Sequence, residues 1–120
     1  MRISRKSIGD EYKIWIPVGA MSDKVNAQLV ELVNLVGGMT EVCTTGVWIS
    51  DGEHPVVEED VHIMQFITHE LILKQIYEIA QTLIEEGQEA VLVYHLNGHY
   101  LLTGEVTEAN PEIKFNWRQE

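Results

Sequence analysis

Thr45-Gly46-Val47-Trp48-Ile49-Ser50, then Asp51-Gly52, then Glu58-Glu59-Asp60-Val61-His62-Ile63-Met64-Gln65-Phe66 is the stretch that decides the fold. Two runs rich in β-branched and aromatic residues flank a turn-forming Asp-Gly, with Pro55 just before the second run. This is the pattern of paired antiparallel strands, over about Met39–Ser50 and Val56–Ile67. Side chains alternate between the two faces of a strand. Glu59 therefore shares a face with Val57, Val61, Ile63 and Ile67, and Glu58 shares the other with Asp60 and His62. A carboxylate in an apolar row is costly without a partner, so Glu59 is a candidate functional residue. Glu58-Glu59-Asp60 also reads as a solvated strand end, and only the face argument separates Glu59 from its neighbours.

Outward from this pair, Tyr12–Val18 reads as a first strand, with Tyr12, Ile14, Ile16 and Val18 on one face and Lys13 and Trp15 on the other. Pro17 has no N–H for a ladder and marks an edge or the strand's end. Ser22 is a good N-cap and Asp23 suits the positive end of a helix dipole. Val25, Leu29, Leu32, Val33 and Val36 follow at helical spacing, and Gly37-Gly38 stops the helix. Thr68 is placed as the cap of a second helix, with Ile72, Ile76, Ile79, Ala80 and Leu83 as its apolar stripe and Gly87 as its end. A second stripe, Leu73, Tyr77 and Ile84, widens the apolar arc and suggests contact with another subunit. Ala90–Leu96 is a short apolar strand, Asn97-Gly98 a two-residue hairpin turn, and His99–Thr103 the returning strand. Ile113, Phe115 and Trp117 alternate in a polar tail.

Strand, helix, strand, strand, helix, strand is the order of the ferredoxin-like split βαβ fold. The expectation is an α+β sandwich: an antiparallel sheet, two helices on one face, and an extra C-terminal hairpin and arm. The 120 residues form one domain, with a core over about 12–104 and an arm over 105–120. Right-handed crossovers put both helices on the same face, which leaves the other uncovered and favours self-association.

Composition narrows the function. Eight basic and nineteen acidic residues give a net charge of −11, which argues against a phosphate-backbone partner. It suits a cationic ligand or an acidic mimic of nucleic acid. The single cysteine, Cys43, excludes an internal disulfide and any Cys-based zinc site, and reads as a small apolar side chain packed in a strand. His95 and His99 flank the hairpin turn and face one another across it; without a third ligand they read as hairpin residues rather than a metal centre. No nucleophile elbow or phosphate-cradling glycine loop is present in the sequence, and no signal peptide or membrane span, so the expected location is the cytoplasm. Trp15 and Trp48 are the aromatics available to a site, against the commoner role of a tryptophan in a core or interface.

Four segments carry a resemblance to a known family. They are Ser22-Asp23-Lys24-Val25-Asn26, Thr45-Gly46-Val47-Trp48, Glu58-Glu59 and Glu89-Ala90-Val91-Leu92-Val93-Tyr94. In order and spacing the chain resembles the bacteriophage S-adenosylmethionine lyases, formerly called hydrolases. The resemblance implies a homotrimer of ferredoxin-like subunits with S-adenosylmethionine bound where subunits meet. Charge, hydropathy and the scattered histidines give the further expectation of no cofactor, no metal, no nucleic acid and no membrane. The family's essential glutamate falls on Glu59, with Glu58 beside it, and its active-site tyrosine falls on Trp48, a departure that removes a phenolic hydroxyl. Trp15 and His95 are further candidate substrate contacts. The implied reaction yields 5′-methylthioadenosine and L-homoserine lactone, with hydrolysis as the mechanistic alternative. Two other classes remain open: a trimeric ferredoxin-like nucleotide or effector-binding protein without catalysis, and an acidic nucleic-acid mimic of the anti-restriction kind.

Overall fold

The computed structural model describes residues 2–49 and 56–104, except the side chains of residues 48, 49 and 56–58. The expected arm over 105–120 lies outside the described residues. Strand β1 (Asp10–Pro17) leads through a short 3-10 turn (Val18–Ala20) to helix α1 (Asp23–Val36) and strand β2 (Thr40–Ile49). Strand β3 (Val56–Thr68), helix α2 (Leu73–Glu85) and the hairpin strands β4 (Ala90–His95) and β5 (Gly98–Thr103) follow. The sheet order is β2-β3-β1-β4-β5 and the pairing is antiparallel throughout. This is the ferredoxin-like arrangement, extended at the β4 edge by β5.

Packing follows the alternation. Tyr12, Ile14 and Ile16 of β1, Met64 and Phe66 of β3, and Val91 and Val93 of β4 are buried toward the helices. Val25, Leu29 and Leu32 of α1 and Ile76, Ile79, Ala80 and Leu83 of α2 meet them. Burying side chains of this size contributes roughly 1.5–3 kcal/mol each. The helices are also tied to each other: Gln28 Nε2 donates to Thr82 Oγ1 at 3.0 Å, and Ser22 Oγ donates to Glu86 Oε1 at 2.7 Å. Ser22 Oγ also accepts from the Val25 N–H, as an N-cap should, and Gly37 closes α1 in the left-handed region at φ 91°.

Several expectations are corrected. Val18 belongs to the short turn after β1 rather than to the strand, so Pro17 is the strand's end, one of the two places expected for it. Thr68 does not cap α2. It is the last residue of β3, it is buried, and its hydroxyl accepts the Glu70 N–H in a local turn. Helix α2 starts at Leu73 with no side-chain cap. Tyr77 and Ile84, assigned above to a subunit contact, pack into the chain's own core. The hairpin turn is Leu96-Asn97, both left-handed at φ 49° and 61°, not Asn97-Gly98. Gly98 instead pairs with His95, and a Cβ there would lie 3.1 Å from the Tyr100 ring. That ring stacks on His95 at 4.6 Å between centroids, so aromatic packing sets the hairpin register. Gly9, at φ 121°, leaves no room for a side chain, because a Cβ would sit 2.0 Å from the Thr68 carbonyl carbon.

Candidate active site

The sheet face away from the helices is where the chemistry collects. Ile63 of β3 lies opposite Trp15 of β1, and Val61 opposite Pro17, so these residues share that face with Glu59. The pairing of Lys13 with Tyr94 puts Ala90, Leu92 and Tyr94 of β4 there too, and the pairing of β4 with β5 adds His99 and Leu101. A cavity of about 470 Å³ opens among these strands and the loop joining α2 to β4. Its floor is apolar: Val61, Pro17, Ala90 and Leu92. Trp15 and the exposed Leu101 form one side, and Glu59, Gln88 and Glu89 supply its polar groups. The volume is that of a small-molecule site.

Charge and ring placement define what such a cavity favours. Among the described residues its lining carries two carboxylates, Glu59 and Glu89, and no lysine or arginine. Glu59 is half-buried beside Val61, which is only 1% exposed, so little water screens that carboxylate on its inner side. Trp15 is held from behind by His99, with ring centroids 5.8 Å apart, and His99 leans on Tyr94 at 4.8 Å. An indole fixed at the rim of an acidic cavity is suited to an aromatic or cationic ligand. Further along the same face the charges neutralise one another. Gln65 Nε2 donates to Glu11 Oε2, Lys13 Nζ lies 3.7 Å from Glu11 Oε1, and the ammonium sits 5.5 Å from the Tyr94 ring centroid. Among the described residues, the carboxylate without an ion-pair partner on this face is at the Glu59 end.

The structure divides the residues singled out from sequence. Glu59 and Trp15 line one cavity. Trp48 is opposite Val57 and Glu59 opposite Gly46, so the register puts position 48 on the same face, one pair farther out along the edge strand. Glu58 pairs with Val47 and alternates to the helix side. His95 goes there as well. It is 3% exposed, and its Nε2 is 2.9 Å from the Tyr77 hydroxyl. It does not face His99, which lies on the open side opposite Tyr94. Sequence reading missed Glu89, Gln88, Leu92 and Leu101 as lining residues. Glu89 and Leu92 were within reach, because both belong to the acidic-x-Val-Leu-Val-Tyr segment that carried the resemblance.

Among the described residues, no helix is long and apolar enough to cross a membrane. No protein-family model and no curated protein matches the sequence. Solved structures do match the fold. A phage SAM lyase in complex with S-methyl-5′-thioadenosine superposes with a TM-score of 0.56 at 20% identity, covering 90% of this chain and 100% of that one. A phage SAM lyase in its apo state matches with a TM-score of 0.55 at 19% identity and the same coverage. At this identity the likeness is one of fold.

Proposed function

We propose that this chain is an enzyme that degrades S-adenosylmethionine, with the Glu59–Trp15 cavity as its substrate site. The observation that carries the reading is that Glu59 and Trp15, far apart in sequence, line one acidic cavity on the sheet face away from the helices. The fold shared with two phage SAM lyase structures, one of them holding methylthioadenosine, supports the same reading.

S-adenosylmethionine brings a sulfonium leaving group and a carboxylate nucleophile in the same molecule. In the lyase reaction a carboxylate oxygen attacks the γ-carbon as the carbon–sulfur bond breaks. The bonding pair goes to sulfur, giving neutral 5′-methylthioadenosine, and the new carbon–oxygen bond closes homoserine lactone, which keeps its protonated amine. No water and no proton transfer are needed. The protein has to fold the methionine chain so that oxygen, carbon and sulfur lie in line, and such positioning supplies up to about 7–11 kcal/mol. Glu59 grips the α-ammonium and fixes this geometry, and Glu89 adds negative potential at the rim. Trp15 packs against the adenosine or the sulfonium. Trp48 extends the wall along β2 in place of the family's tyrosine. Glu58, whose strand position alternates away from the cavity, acts only through the local field. His95 stands in the helix-side core and takes no part in this pose. The uncovered face meets neighbouring copies in a homotrimer, which closes the site, and the protein works in the cytoplasm.

Incubating the purified protein with S-adenosylmethionine and identifying products by mass spectrometry tests the proposal. Methylthioadenosine with homoserine lactone is the expected outcome. Homoserine that carries solvent oxygen from the first turnover would replace the lyase by a hydrolase, with Glu59 as general base on water. Substrate left intact at high protein concentration overturns the enzyme reading, and the uncovered face then reads as an effector-binding surface.

A further inference from the structure

We propose a second site, for a zinc-class transition metal, on the helix-side face of the β2–β3 pair, built from Glu41, Cys43 and His62. Glu41 and Cys43 are two residues apart on β2 and so project from the same face. His62 on β3 lies directly opposite Cys43 in the register, which brings the third side chain to the same spot. His62 Nδ1 is 2.9 Å from Glu41 Oε2 and 3.4 Å from Cys43 Sγ, and the three donor atoms all lie within 4.8 Å of one another.

Ordinary hydrogen bonding accounts for only part of this. A single imidazole nitrogen carries either one hydrogen or one lone pair, so it makes one good bond with the carboxylate or one with the thiol, not both. One cation satisfies a thiolate, a neutral imidazole and a carboxylate together. With zinc–nitrogen distances of about 2.0–2.1 Å and zinc–sulfur of about 2.3 Å, a tetrahedral ion spaces neighbouring donors by about 3.3–3.6 Å. The present arrangement is within a few tenths of an ångström of that spacing on both contacts to His62. Mixed sulfur, nitrogen and oxygen donors select zinc over magnesium or calcium. Cys43, expected from the sequence to be packed and outside any zinc site, is exposed with its thiol beside His62, and one cysteine is enough because a histidine and a carboxylate complete the set.

Three protein donors leave a fourth position open, the arrangement of reactive rather than purely structural zinc. A cavity of about 260 Å³ adjoins the triad, lined by Glu41 and His62 themselves, by Asn26 and Asn34 of α1, and by apolar residues including Leu29 and Val33. A water or a small anionic ligand on the metal would have the two asparagine amides within the same cavity. The site is on the opposite face of the sheet from Glu59, so it neither depends on the proposed S-adenosylmethionine site nor shares a residue with it.

The test uses the full chain, stripped of metal, titrated with Zn(II) against a chromophoric chelator and with Co(II) followed by absorption. Saturable one-to-one zinc binding is expected, together with a thiolate-to-cobalt charge-transfer band. Cys43→Ser, His62→Ala and Glu41→Gln should each weaken zinc binding by about tenfold or more, and Cys43→Ser should abolish the band. His69→Ala, with its imidazole outside the triad, should leave both unchanged. Circular dichroism of each variant separates lost ligation from lost folding, and the near-isosteric Cys43→Ser at an exposed position keeps the test decisive. Absence of one-to-one binding, or affinity and spectrum unchanged in both Cys43→Ser and His62→Ala, overturns the site.

Discussion

The two faces of the sheet are made by the same strands, yet they do opposite work. Along β1 the contrast is residue by residue: Tyr12, Ile14 and Ile16 turn to the helices and are buried, while Glu11, Lys13 and Trp15 turn to the open side. The helix-covered side of β1, β3 and β4 is a mainly hydrocarbon layer, with His95 bonded to Tyr77 inside it, and it resists changes in volume. The open side mixes an ion pair, a supported indole and the half-buried Glu59 carboxylate, a combination with little to add to stability. Folding energy and ligand chemistry have been assigned to different sides of one sheet. The exception is the outer β2–β3 strip on the helix side, where Glu41, Cys43 and His62 stand on strand positions bordering the α1 cavity rather than in the closed core.

Breaking the covered face should cost most. Phe66→Ala removes a fully buried ring from β3, opposite Tyr12 of β1, and should destabilise the fold by about 3–5 kcal/mol, read from chemical denaturation. Loss of less than about 1 kcal/mol would mean that the helix layer is not the main source of stability.

On the open face the effect should move from stability to turnover. Glu59→Gln keeps the shape and removes the charge, so kcat/KM for S-adenosylmethionine should fall by roughly 30- to 1,000-fold, about 2–4 kcal/mol, while the denaturation midpoint stays nearly fixed. Full activity in that variant would keep the enzyme and discard Glu59 as its ammonium-binding group.

Leu101 sharpens the comparison further. It lines the cavity but is 65% exposed, so Leu101→Ala should change stability by no more than about 0.5 kcal/mol. Its consequence should be a raised KM for S-adenosylmethionine, measurable in steady-state assays. A large loss of stability would show that this rim is already packed against something in solution.

The smallest effect is a titration on the covered face. Burial pushes the Tyr12 phenol above its usual value near 10, opposed by a hydrogen bond with the Ile72 backbone and reinforced by the nearby Asp10 charge. A phenol whose folded pKa is raised contributes stability that is complete below pH 10 and is lost as pH climbs through the folded pKa. Tyr12→Phe should therefore flatten the alkaline decline of stability, measured by denaturation across that range. An unchanged decline would assign the alkaline sensitivity to other groups.

How much of this was legible depends on how local the cause is. Helix α1 was readable end to end, because Ser22 and Gly37 act on their own few neighbours. Thr68 misled for the opposite reason: its hydroxyl suits a cap, but the pairing of β3 with β1 extends through it and buries it. Asn97-Gly98 misled similarly, since the stacking of Tyr100 on His95 moves the turn one residue upstream and leaves Leu96 left-handed. Glu59 stood out by alternation alone, whereas Glu89 and Leu101 meet it only because β1 and β4 intervene in the sheet order.

The sequence by itself determined the element order, the amphipathic sides of the strands and helices, and therefore the split βαβ fold. It also determined that Glu59 and Trp15 lie on strand faces rather than in loops. Periodicity and capping are near-neighbour effects that a linear reading captures. Only the tertiary structure decided which acids share a cavity, that His95 turns to the core, and that Glu41 and Cys43 acquire His62 as a partner. Those outcomes depend on strand register and sheet order, which are fixed by contacts between segments distant in the chain.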